Sequence, residues 1–292
     1  MRFFFLPVFV LFLSVNSFAL VVPVKKQEVL NSFCKRVNNS FKAYHWNKII
    51  CNPKRWKYEK LSVSGSPLLY QTFFANPDSK ETTFIFCGIH GDELPSTYLC
   101  VYLVRDIIFD NPKLYANSNI IVAPIVNPDS FFFKRPSRLN ANGVDLNRNF
   151  PTKDWNRRAL HLWKKRYKRA KRRYPGPKAE SEPETRFVVD IIKRFTPKRI
   201  ISVHGPYGFW DYDYKGTKAD WKKVRHTAYE LGRRSRNFPV KDFRVFPGSL
   251  GNYAGNDLQI PTYTLELNSV RAKDSHYLWL RFKKSLRYIL TK

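Results

Sequence analysis

Apolar and polar positions follow two different rhythms along this chain, and the rhythms predict its elements. "KLSVSGSPLLYQTFF" (60–74) reads as two strands turning back at Gly65. "TTFIFCGIH" (82–90), "NIIVAPIVNPD" (119–129), "RIISVHG" (199–205) and "TYTLELN" (262–268) are short runs rich in β-branched and aromatic residues, as expected of buried strands. "LPSTYLCVYLVRDII" (94–108) and "RFVVDIIKRF" (186–195) carry apolar residues at helical spacing instead. Strands alternating with helices predict an α/β domain with a mostly parallel or mixed sheet. The pattern holds no internal repeat and no long linker, so residues 56–292 read as one domain preceded by a basic extension, 20–55. In "SEPET", Ser181 and Glu184 have capping-box spacing, which gives Glu182 and Glu184 structural work at a helix start. Between Trp155 and Tyr174, Leu160, Trp163, Tyr167, Ala170 and Tyr174 recur among lysines and arginines and predict a basic helix over 155–174. Such a helix is either a solvated face or a cationic arm that concentrates the protein on an anionic polymer.

The first residues change the picture. "MRFFFLPVFVLFLSVNSFA" has one arginine, an apolar stretch from Phe3 to Val15, and Ser17-Phe18-Ala19 as a small-x-small cleavage pattern. Those thirteen residues are short of the roughly 20 needed to span a bilayer, so residues 1–19 are expected to be a cleaved signal peptide. The mature chain is then exported and expected to lack a transmembrane helix. Charge is the outlying feature of the composition: 52 Lys and Arg against 23 Asp and Glu, a net +29. That excess points to polyanionic surroundings such as nucleic acid, anionic lipid or a cell-wall polymer, and export removes nucleic acid as an expected partner. Four cysteines allow three pairings. Cys34 and Cys51 share one segment and suit a disulfide, whereas Cys87 and Cys100 bracket His90 as either a bridge or two buried thiols.

Candidate chemistry gathers at the strand ends. In "GIHGDELPST", His90 and Glu93 follow a buried strand at a spacing of three. A zinc hydrolase needs three N, O or S ligands and an open position. His204, closing "RIISVHG" ahead of Gly205-Pro206, is the candidate third ligand, since α/β sheets bind ligands at their carboxyl edge. Glu266 is a carboxylate inside an apolar strand, a rare placement unless paired or functional. "SRLNANGVDLNRNFP" (137–151) is dense in Asn, Asp and Arg and taken alone is a polar loop turning at Asn142-Gly143.

Taken together, the HxxE pair, "NPD", "SRLNANGVDLNRNFP", His204 and "TYTLEL" resemble the zinc metallocarboxypeptidase superfamily from about Leu61 to Val270. The likeness is nearest to the bacterial murein-peptide amidase group through "NANGVDLNRNFP", the "PG…SEPET" segment and "PGS". The resemblance implies a three-layer α/β/α fold with a central mixed, twisted sheet, and one Zn2+ held by His90, Glu93 and His204. It implies Glu266 as general base toward a zinc-activated water, Arg138 as the cation that stabilises the oxyanion, and Asn147 and Arg148 as the clamp on the substrate's free carboxylate. Asp145 would be the partner that fixes the tautomer of His90. The implied substrates are peptidoglycan stem peptides or muropeptides, cut at the γ-D-glutamyl–meso-diaminopimelate bond, and with export the periplasm is the implied location. Phe243 stands where pancreatic-type members carry a tyrosine, and Gly205 replaces a polar residue after the second histidine. A general secreted carboxypeptidase and a non-catalytic basic wall-binding protein are the alternatives.

Overall fold

The structure is a computed structural model and describes residues 26–46, 51–74, 81–108, 111, 113 and 118–292. The expected signal segment, 1–19, lies outside the described residues. Among these residues the strands are β1 Lys57–Leu61, β2 Pro67–Phe73, β3 Thr82–Cys87, β4 Asn119–Ala123, β5 Arg199–His204, β6 Phe209–Asp213, β7 Val240–Lys241 and β8 Thr262–Glu266. They form a single sheet in the order β1-β2-β4-β3-β5-β8-β6-β7. Its centre is parallel: β3 pairs with β4 and β5, and β5 with β8. The flanking pairs β1–β2, β2–β4 and β6–β8 are antiparallel, so the sheet is mixed.

The helices are α1 Lys26–Ala43, α2 Leu94–Leu103, α3 Pro128–Phe131, α4 Trp155–Lys165, α5 Pro183–Phe195, α6 Lys218–Arg234 and α7 Ser275–Leu290. On one face Ile85, Val122, Ile201 and Leu265 pack with Leu30, Leu99, Leu231 and Phe282 of α1, α2, α6 and α7. On the other, Phe84, Phe86, Ile121 and Ile200 meet Phe187 and Val188 of α5, together with Leu250 and Ala254. Both faces of the central strands are covered, which is why those strands read as continuous apolar runs. The result is the expected three-layer α/β/α arrangement. Within the 20–55 extension, α1 lays Leu30, Phe33, Val37 and Phe41 into the first core, each burial contributing about 1.5–3 kcal/mol. The Cys34–Cys51 disulfide and a Trp46 Nε1–H bond to the Ala272 carbonyl (2.9 Å) fasten the same segment.

Two local expectations fail. Ser181 and Glu184 do not form a capping box: the N-cap of α5 is Glu182, and no side chain caps the helix. Glu184 is buried and turns away to accept from the Val63 amide (3.1 Å) and from Asn140 Nδ2 (3.0 Å), so these long-range donors occupy both of its oxygens. The basic helix of 155–174 also stops early, at Lys165. Lys168 and Arg169 take left-handed backbone angles, and the chain folds back until Trp163 lies 4.7 Å from Tyr174. Continuing the helix would stack like charges at i,i+4, as in Lys164–Lys168 and Lys165–Arg169, each pair costing about 0.2–0.5 kcal/mol. Packing two aromatic rings together and satisfying Trp163 Nε1–H on the Ala170 carbonyl (3.0 Å) offset the lost turns.

Candidate metal centre

The parallel strands β3, β5 and β8 end at one edge of the sheet, and the chemistry collects there. After Cys87 the chain turns sharply at Gly88, whose φ of +63° suits glycine; a Cβ there would meet Thr97 Oγ1 at 2.7 Å. This tight reversal drops His90 back over the strand end and sets Glu93 just before α2, where Pro95 occupies the first turn. A Cys87–Cys100 disulfide closes the segment carrying both residues, a separation of 13. A loop of that size gives about 3 kcal/mol in the chain-entropy account. The thiol alternative for this pair is thereby removed.

His90, Glu93 and His204 converge. His90 Nδ1 lies 2.8 Å from Glu93 Oε1, His204 Nδ1 lies 3.0 Å from Glu93 Oε2, and the two Nδ1 atoms are 3.2 Å apart. All three side chains are buried, and their ligand atoms lie within 4.8 Å of one another, the one such group among the described residues. The Gly205 amide donates to Glu93 Oε2 (3.2 Å) and holds the carboxylate in place. Burial alone would raise the Glu93 pKa; the positive character of His90 and His204 outweighs it and keeps the carboxylate ionised. Two imidazole nitrogens and a carboxylate facing one point make a donor set suited to zinc.

Asp145, fully buried, sits behind this group. Its Oδ1 is 3.1 Å from His90 Nε2, so a proton on Nε2 leaves the Nδ1 lone pair facing the other ligands. Arg138 donates from Nε to Asp145 Oδ2 (2.9 Å) and brings NH1 to 3.1 Å from His90 Nδ1. Burial pushes the Asp145 carboxyl up, but Arg138, His90 and Arg148 hold it well below the usual carboxylate range. Glu266 pairs with His204 in the β5–β8 register. Its Oε2 is buried without a hydrogen-bond partner among the described residues, and burial, with Glu93 adding, raises its pKa.

Asn147 and Arg148 lie on the same loop as Asp145. Asn147 Oδ1 accepts from the Leu250 amide (2.9 Å), and the Arg148 guanidinium stacks 4.3 Å above the Phe246 ring. Arg148 Nε is buried with no hydrogen-bond partner among the described residues, and burial pulls the guanidinium pKa down against the opposing effect of Asp145. Glu182 anchors the loop by accepting from Asn140 (2.7 Å) and Asn142 (2.8 Å). Sequence reasoning missed two features. Arg172 reaches Asp92 (3.2 Å), which brings the basic segment beside Glu93; nothing local signals a contact across that distance. Asp211 and Asp213 are also buried on β6, and here "FWDYD" did carry a signal, two acids on one face of a strand.

Comparison with known proteins gives the family context. The zinc carboxypeptidase family matches residues 50–277. Murein peptide amidase A of Vibrio campbellii is 32% identical over 215 residues, covering 72% of this chain and 78% of that one. The protein of the same name from Escherichia coli K12 is 35% identical over 226 residues, 75% of this chain and 84% of that one. The crystal structure of murein-tripeptide amidase MpaA from Escherichia coli O157 shares the fold at a TM-score of 0.57 and 24% identity, over 82% of this chain and 92% of that one.

Proposed function

The chain belongs to the zinc carboxypeptidase family, and we propose that this zinc-dependent hydrolase is exported and cuts the γ-D-glutamyl–meso-diaminopimelate bond of peptidoglycan tripeptide stems. The observation that carries the reading is a complete, buried His-Glu-His donor set in a chain about one-third identical to two murein peptide amidases. In this reading His90, Glu93 and His204 hold one zinc. When bound, zinc supplies a Lewis acid that polarises the scissile carbonyl and lowers the pKa of water. Glu266 takes a proton from the attacking water and hands it to the departing amine, a task suited to a carboxylate with a raised pKa and a free buried oxygen. Arg138 stabilises the negative charge that grows on the carbonyl oxygen. Asn147 and Arg148 bind the free carboxylate of the residue to be released.

Export agrees with the N-terminal apolar segment and with two disulfides, which persist in oxidising compartments. The exposed cations of 164–172 would draw the enzyme toward an anionic wall polymer.

The test is stem length. A tripeptide ending in diaminopimelate offers Arg148 a carboxylate, whereas in a tetrapeptide that group is an amide to D-alanine. An unmatched buried guanidinium costs about 3–5 kcal/mol, a factor of several hundred or more. Purified mature protein should therefore release diaminopimelate from tripeptide far faster than it cuts tetrapeptide, and Arg148→Ala should narrow the gap. Equal cleavage of both by the wild type overturns the reading in favour of an endopeptidase.

A further inference from the structure

Where the basic segment folds back, it encloses a cavity that the metal centre does not use. The cavity measures about 440 Å3 and is walled by Leu139, Leu160, Trp163 and Tyr174, with the exposed Lys164 and Lys171 at its rim. Trp163 spends its indole N–H on the Ala170 carbonyl (3.0 Å), and its ring lies 4.7 Å from that of Tyr174. What it offers a ligand is therefore aromatic face. Gly143 completes the wall, and nothing stands within 4 Å of where its Cβ would be.

The fold that makes this cavity is costly and sits close to the centre. Lys168 and Arg169 are consecutive non-glycine residues at φ of 49° and 58°, in the left-handed region, where strain persists only if the surroundings enforce it. Arg172 pins the returning strand of chain to Asp92 (3.2 Å), the residue before Glu93. On the opposite wall Leu139 follows Arg138, whose NH1 lies 3.1 Å from His90 Nδ1. The cavity thus begins about one arginine side chain away from the metal ligands. No acid lines it. An aromatic wall under a cationic rim suits a ring with a carbon-rich face that sits next to a carboxylate. Its volume falls at the low end of ordinary ligand pockets, roughly 300–1,000 Å3, which is room for one ring and not for a long acyl chain.

We infer that this cavity is a subsite for the N-acetylated sugar at the amino end of a wall stem peptide. The ring lies against Trp163, and the lysines face the free α-carboxylate of the γ-linked glutamyl residue. This rests on the exported amidase reading, because stems outside the cell are still joined to glycan. Two residues separate the sugar from the scissile bond. Extended, they span at most about 7 Å, and a little more through the γ link, comparable with the reach of Arg138 from the cavity wall to His90.

The experiment compares L-alanyl-γ-D-glutamyl-diaminopimelate with its N-acetylmuramyl form, using the zinc-loaded mature protein. Wild-type kcat/KM should favour the sugar-bearing substrate by roughly 10-fold, mostly through KM, since a ring stacked far from the reacting bond adds binding in ground and transition state alike. In Trp163→Ala the ratio should fall toward one. Leu160→Trp fills the cavity from α4 instead of emptying it and should do the same, so the test does not hang on the folding of one variant. Calorimetry gives a readout free of turnover: N-acetylmuramyl-L-alanyl-D-glutamate should bind the wild type more tightly than L-alanyl-D-glutamate, and both variants should erase that difference. Equal treatment of sugar-bearing and sugar-free ligands by the wild type, or a sugar preference that survives both variants, overturns the inference. If neither tripeptide is cut but the calorimetric difference appears and is lost in the variants, the subsite stands and the amidase reading falls.

Discussion

Two pairs of buried carboxylates share this molecule, and they are balanced in opposite ways. Glu93 and Asp145 are enclosed by His90, His204, Arg138 and Arg148, and their pKa values are held low despite burial. Asp211 and Asp213, on the sheet face that carries Glu266, have acidic neighbours, and burial drives both upward, Asp211 to about 7 even though the Phe243 and Tyr212 amides donate to it. Burial is common to both pairs; the difference is whether the fold supplies the cation. The first pair is complete once a metal joins the histidines, while the second has no ion pair among the described residues.

The comparison is broken most forcefully at the first pair. His90→Ala or His204→Ala should drop bound zinc well below one per chain by metal analysis and abolish turnover, whereas substitutions at Asp211 or Asp213 should leave metal content intact. Full zinc occupancy in both histidine variants would sink the ligand assignment. A smaller loss is expected next door: Glu266→Gln should keep its zinc and fold yet lose about 10²–10⁴ in rate. Near-normal turnover in that variant would remove Glu266 from the mechanism.

The smallest effect sharpens the contrast through pH. An ordinary unfolded Asp loses its proton near pH 4, but folded Asp211 keeps its proton until about 7. Between those values the folded state binds more protons, so stability should fall as pH rises, by at most about 4 kcal/mol for this group. Glu93 and Asp145, with lowered values, act in the opposite sense, and their contribution is lost as pH falls below the ordinary carboxylate range. Urea unfolding of the zinc-loaded protein from pH 4.5 to 7.5 should show the decline in wild type and a flatter profile in Asp211→Asn/Asp213→Asn. Identical profiles would mean that solvent already neutralises the pair.

Much of this protein was written in local pattern. The period-two and continuous apolar runs located β2 to β5 and β8, the helical spacing located α2 and α5, and His90, Glu93, His204 and Glu266 stood out because polar groups seldom close or interrupt buried strands. Patterns spanning a few residues report what the backbone does nearby, and they go wrong where distant partners compete. Glu184 has the spacing of a cap, but Val63 and Asn140 claim its oxygens. The 155–174 run has helical spacing, but its own charges and the Trp163–Tyr174 contact fold it back. Only the tertiary structure decided that Cys87 bonds Cys100, that Arg172 reaches Asp92, and that Asp211 and Asp213 fall in line behind Glu266. Those facts depend on strand order and register, which are fixed by burying both faces of the sheet at once, a condition that no single stretch of sequence can express.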